Sequence, residues 1–199
     1  MIIELLEPGV FWSDILLGLV VFICAGLIYK KSTLFFGFFF WLGIATLVGA
    51  IYHGFINTPE IFWGEILWSV TMISFGLSSL FLLRFYFKKL SLNLFVFLLA
   101  AYSAFIIFID ASFKWGLLLQ AISVVTYFVF ILKNTKKIAF NKSLLCGLLF
   151  LGAISTAVYI QQFKLALGTT LSHNTIFHLI SIPAFVFLYL SFRYITKSP

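Results

Sequence analysis

The sequence predicts an all-α polytopic membrane protein, a single bundle of seven transmembrane helices spanning residues 1–199. Three observations carry that prediction. Hydrophobic residues make up 63% of the chain and charged ones 10%, against about 25% charged in soluble domains. Apolar runs of membrane-crossing length recur from end to end, each nearly free of charge. The cations gather on alternate connections, as the positive-inside rule describes for multi-pass proteins.

The first helix is expected at about 10–29. It follows an acidic stretch (Glu4, Glu7, Asp14) and lacks a small-x-small motif, which argues for a retained helix over a cleaved signal. The second, at about 33–55, follows Lys30-Lys31-Ser32, and the third, at about 62–84, follows a polar stretch from Asn57 to Glu60. The Lys88-Lys89 corner introduces a fourth at about 90–109, and Asp110-Ala111 a fifth at about 112–132. Longer connections, Lys133 to Lys142 and Lys164 to Leu171, precede helices at about 143–163 and 172–194. Connections this short make sequential helices antiparallel, since loose backbone has no partners in lipid.

Of the 13 cations, 11 fall on one side of that arrangement: Lys30, Lys31, Arg84, Lys88, Lys89, Lys133, Lys136, Lys137, Lys142, Arg193 and Lys197. Lys114 and Lys164 fall on the other. The expected orientation has the N-terminus outside and the C-terminus in the cytoplasm, in the plasma membrane. Trp12, Trp63 and Trp115 near outer ends, and Tyr29, Tyr86 and Tyr194 near inner ones, read as interfacial anchors. The net charge of +7 thus reports topology, and no nucleic-acid partner is expected. Cys24 and Cys146 lie inside apolar runs and read as packing residues. Gly49-Ala50, Ser74-Gly76-Ser78-Ser79 and Gly152-Ala153-Ser155 read as helix contact surfaces, where small residues let backbones approach.

All six acids and all three histidines collect at the outer end. His53 closes the second run in T-L-V-G-A-I-Y-H-G-F, with Gly49 and Ala50 one turn before it. The seventh run opens L-S-H-N-T-I-F-H, where Ser172 or His173 can cap the helix and Asn174 shares a face with His178. An ionisable residue inside an apolar helix is a functional candidate by default, and His178 fits that description best. His53, His173 and His178 at one depth form a candidate three-nitrogen zinc site, zinc being a borderline ion that accepts imidazole and keeps a fourth position for water. Asn174 would support it, and Glu65 or Asp14 would orient the water or act as base. His173 as a simple cap and His53 as an interfacial side chain are the plainer alternatives. Glu4, Glu7 and Glu60 read as solvated charges, and Gln120, Gln161 and Gln162 as interhelical glue.

Seven helices, a histidine late in the second and paired histidines on the seventh resemble the superfamily that joins alkaline ceramidases with adiponectin-type receptors. The resemblance implies zinc held by three histidines and intramembrane hydrolysis of a membrane lipid, an amide or ester, near the outer boundary. His53 and His178 carry over best, and Glu65 stands where the family's acid would be. This chain departs in having Gly49 at the family's serine position, and in a five-residue spacing from His173 to His178 where the family has four.

Other classes fit less well. A retinal protein needs a lysine deep in the seventh helix, and Asn174 to Phe192 contains none. A haem protein would use His53 and His178 as axial ligands. A transporter would show repeats and broken helices at mid-membrane. A non-catalytic membrane scaffold or sensor is the alternative to the hydrolase.

Overall fold

A computed structural model describes residues 5–56, 62–87, 91–133, 138–168 and 171–196. Among these residues seven helices form: α1 (Pro8–Ile28), α2 (Thr33–Phe55), α3 (Phe62–Tyr86), α4 (Leu92–Phe108), α5 (Phe113–Lys133), α6 (Ile138–Gln162) and α7 (His173–Thr196). Of the residues singled out in the sequence, Glu4, Asn57, Glu60, Lys88, Lys89, Lys136, Lys137 and Lys197 lie outside the described ones. Six helices are long and apolar enough to cross a membrane; α4, with 17 residues, is shorter.

Local chemistry sets the helix starts. Pro8 opens α1, at the one position where a missing N–H costs nothing. The Ser32 hydroxyl accepts from the Phe35 N–H at the head of α2, Ser91 accepts from Leu94 at α4, and Ser172 accepts from Thr175 at α7. Each satisfies a donor that the first helical turn leaves free. The sixth helix begins at Ile138, five residues earlier than its apolar run, because Asn141 and Lys142 are polar without being helix breakers.

Six helices close into a ring. α1 packs on α2, α2 on α3, α3 on α5, α5 on α6, α6 on α7, and α7 returns to α1. The α6–α7 and α1–α2 seams are the broadest and the α5–α6 seam the thinnest. The short helix α4 lies outside the ring against α3, with Gly76 of α3 opening space for the Tyr102 ring.

One end of the ring is filled with aromatic rings. Phe192 of α7 stacks on Phe35 of α2 at 3.9 Å, meets Phe38 and Phe39 edge-on, and takes the edge of Tyr127 from α5 at 4.9 Å. Beside it a hydroxyl knot ties three helices: Tyr127 bonds to Ser191, Ser143 lies 2.8 Å from Ser191, and Ser191 donates to the Ser143 carbonyl at 2.7 Å. In lipid, where apolar contact brings no hydrophobic gain, packing and such bonds hold helices together. The small-residue surfaces expected on α2 and α3 are buried, whereas on α6 Gly152 and Ser155 are exposed and Gly147 makes the close approach, to Phe128 and Ser191.

Gly18 makes the α1–α2 seam. A Cβ there would stand 2.8 Å from the Leu47 side chain and 2.9 Å from the Thr46 hydroxyl, while a Cβ on Gly152 would meet nothing within 4 Å. Gly18→Leu is therefore expected to lower stability by about 1–3 kcal/mol, and Gly152→Ala to raise it by about 0.5–1 kcal/mol. Thermal unfolding of the two variants in detergent checks this, and equal midpoints would contradict the close α1–α2 contact.

Candidate functional site

The end of the ring opposite the aromatic cluster is hollow. A cavity of about 770 Å³ reaches inward from it, lined by residues of α1, α2, α3, α5, α6 and α7. Its inner floor is apolar, made by Leu17, Leu42, Val124, Phe150 and Phe185 of the main core. Its outer part is polar, with Asp14, His53, Trp68, Thr71, Asn174 and His178 on its wall.

Two carboxylate–imidazole pairs stand there. His53, two residues from the end of α2, donates from Nδ1 to Glu7 Oε2 at 2.8 Å. His178, about a turn and a half into α7, places Nδ1 3.2 Å from Asp14 Oδ1 and 3.4 Å from the Ser13 hydroxyl. Asp14 is buried, 3% exposed, and a lone carboxylate in such surroundings is costly unless it is paired. The pairing explains how an acid is tolerated on α1. Both imidazoles use Nδ1 for their acid, and among the described residues neither Nε2 makes a hydrogen bond. An imidazole held this way has its tautomer and ring orientation fixed, with Nε2 left to meet a ligand.

Gly49 of α2 lies beside the Asp14 carboxylate. A Cβ at Gly49 would lie 3.8 Å from Asp14 Oδ2 and 3.7 Å from Thr71, ordinary contact distances at which a methyl group would also fit. The small residues one turn before His53 thus lie against an acid on the neighbouring helix.

The other expected site residues go elsewhere. Ser172 caps α7, so His173 is the first helical residue with no cap geometry to turn it back. Five residues before His178 it lies about 140° away around the helix, and it is not on the cavity wall. Asn174, about 40° from His178, does line the cavity, and its Oδ1 accepts from Gln161 Nε2 at 2.6 Å. Glu65 is exposed and lines a separate recess between α3 and the end of α4, beside Asp110. Trp68 stands between that recess and the cavity, its indole donating to the Ala111 carbonyl at 2.7 Å. Asp14 therefore sits at a histidine and Glu65 does not. Glu7, which reads in sequence as a solvated charge, is the partner of His53; the only signal for it was the gathering of acids and histidines at one end.

A sequence profile described as a family of unknown function matches residues 10–197, from the first turn of α1 to just past α7. The chain belongs to the DUF6962 family. No curated protein and no solved structure matches it.

The three-histidine zinc site implied by the resemblance can be tested on these positions. His53 and His178 share the cavity and each has a carboxylate behind it, as zinc-binding imidazoles commonly do. The third nitrogen is missing, and among the described residues no group of three His, Cys, Asp or Glu side chains is placed to hold a metal ion. The donor set does not fit a three-nitrogen zinc centre. Protein purified without a metal-affinity tag should thus contain well below one zinc per chain by elemental analysis. A full equivalent that disappears in His173→Ala would overturn the placement of His173.

Proposed function

We propose that this family member is an integral membrane protein that takes an amphipathic lipid into the cavity and hydrolyses an ester or amide linkage at its polar end. The observation that carries the reading is the location of two carboxylate–imidazole pairs at the outer end of a mostly apolar, lipid-sized cavity. Pockets that bind small molecules are of this kind, mostly apolar with a few converging polar groups.

In the proposed reaction, His178, held by Asp14, takes a proton on Nε2 from a water molecule as the water oxygen attacks the carbonyl carbon. The tetrahedral species collapses with cleavage of the bond to the leaving oxygen or nitrogen, which receives a proton from Nε2 of His53. The products are a carboxylic acid and an alcohol or amine, and the proton left on His178 restores His53 through solvent. Glu7 orients the His53 ring for the acid role, and Asp14 orients His178 and faces the imidazolium that forms on it.

Seven crossings, N-terminus outside, are part of the same proposal. Trp68, near the start of α3, bonds to Ala111, just beyond the end of α4. The two helices therefore run in opposite directions, and α4 returns the chain to the histidine end before α5 begins. Its 17 residues give about 25 Å of helix, close to the thickness of a hydrocarbon core. With Cys24 and Cys146 replaced by Ala, a cysteine at Lys164 should label from outside intact cells and one at Lys31 only after permeabilisation. The reverse pattern would invert the orientation.

The chemistry is tested with purified protein in nanodiscs and a panel of lipid esters and amides. His178→Ala and Asp14→Asn are each expected to slow turnover by about 10²–10⁴-fold, the usual contribution of general acid–base catalysis. Glu65→Gln should leave the rate within about twofold, because Glu65 lies away from the cavity. Full-rate hydrolysis by His178→Ala would sink the mechanism. Lipid bound without any cleavage would leave a lipid-binding or sensory cavity.

A further inference from the structure

Every residue that both lines the cavity and is exposed on the outside of the bundle belongs to α5, to α6 or to Phe163 just after it. On α5 these include Ala121 and Val125, and on the α6 side Ser155, Val158, Tyr159 and Phe163. Val125 is 62% exposed, Tyr159 56% and Phe163 61%, although all three also face the hollow interior. They mark a mouth, and it coincides with the thinnest seam of the ring. Its sides are mostly apolar, with Ser155 and Gln162 the polar exceptions, and face outward from the ring. The wall across from it carries Asp14, His178 and His53, with Glu7 behind His53 and off the lining.

The outer corners of this mouth carry the two cations that depart from the charge pattern of the chain. Phe113 and Phe163 both line the cavity, and their chain neighbours are Lys114 and Lys164. The N-terminus of α5 and the C-terminus of α6 lie at the same end of antiparallel neighbours, so the two lysines flank the mouth where the histidines are. Lys164 is exposed, sits in the left-handed region at φ 50, and makes no ion pair among the described residues. Lys114 is shared with Asp110 at 3.2 Å. The Trp115 indole and the Ser112 backbone N–H hold that carboxyl well below the usual carboxylate range, so it stays ionised. Lys164 is thus the uncompensated positive charge at the mouth, with Lys114 in support.

We infer that the α5–α6 seam is the entrance by which a membrane lipid reaches the cavity, and that Lys164 and Lys114 select a lipid with an anionic head group. The inference rests on the proposed occupancy of the cavity by an amphipath and adds its route and its charge. Asp14 on the far wall disfavours a negative head inside the cavity and leaves it at the rim, where the lysines meet it. The chain then passes inward below the histidines.

A protein keeping Trp68, with Trp12, Trp41, Trp63 and Trp115 changed to Phe, reports arrival in the cavity when placed in phosphatidylcholine nanodiscs. The probes are dibrominated stearate and its methyl ester, which quench through the same chain and differ in head charge, and His178→Ala in the same protein keeps the ester from being cleaved. The acid is expected to reach half-quenching at about fivefold lower mole fraction than the ester, since one lysine near a membrane surface is worth about 1 kcal/mol toward an anion. Lys164→Ala should abolish the difference, Lys164→Arg should keep it, and Lys114→Ala should reduce it less. Ala121→Phe, which fills the seam, should leave only the quenching that comes from surrounding lipid. Equal quenching by acid and ester in the unaltered lysine background would overturn the selection while leaving the cavity occupied. Full quenching in Ala121→Phe would overturn the route. No quenching by either probe beyond the Ala121→Phe level would show that the cavity takes no such chain, and would remove the reading on which the inference stands.

Discussion

Phe192 holds one end of the bundle shut. Around it Phe35, Phe38, Phe39 and Tyr127 converge from two other helices, and the Tyr127–Ser143–Ser191 hydroxyls lock α5, α6 and α7 beside them. Lipid chains are as apolar as these rings, so the cluster gains nothing from leaving lipid; its hold comes from close ring packing and from hydroxyls that have no water to bond instead. With that end fixed, the opposite end is free to splay, and the thin α5–α6 seam shows where it does. The hollow and the plug are two consequences of one uneven distribution of aromatic side chains.

The polar groups of the hollow depend on the same architecture. Asp14 and His178 reach each other only because α1 and α7 are neighbours in the closed ring. Glu7 reaches His53 because the chain before α1 is tied to the end of α2, where the Leu6 N–H donates to the Gly54 carbonyl at 2.9 Å. Each charged group near the apolar interior thus has its partner supplied by an adjacent helix.

The helices were legible because lipid imposes a single requirement on them, length in apolar residues, and a chain records that requirement directly. α2 has the same bounds in the sequence and in the structure, and α7 differs by two residues at most at either end. The site was legible only as far as depth: His53, His178 and Asp14 could be placed at one level, which is why they were candidates. Rotation was not recorded. Whether Glu65 or Asp14 faces the histidines depends on how each helix turns in the ring, and the pairings join residues 46 and 164 positions apart. His173 lies off the cavity wall for a local reason, since Ser172 takes the cap through its bond to the Thr175 N–H. Glu7 was hidden because a carboxylate next to a helix start has the same sequence appearance whether water or an imidazole solvates it.

Lipid entry between α5 and α6, as proposed, would change what concentration means for this protein. A cavity that opened to water would sample ligands by molarity, and an apolar chain is scarce there. A cavity opening sideways samples a two-dimensional solvent in which every molecule is an amphipath, and where abundance is a mole fraction of the leaflet. On the proposed route, occupancy would be a competition among lipids beside the exposed Val125 and Tyr159, and an empty hollow would be the exception. What distinguishes one lipid from another is the exchange of one occupant for the next, and the composition of the surrounding leaflet becomes part of the equilibrium.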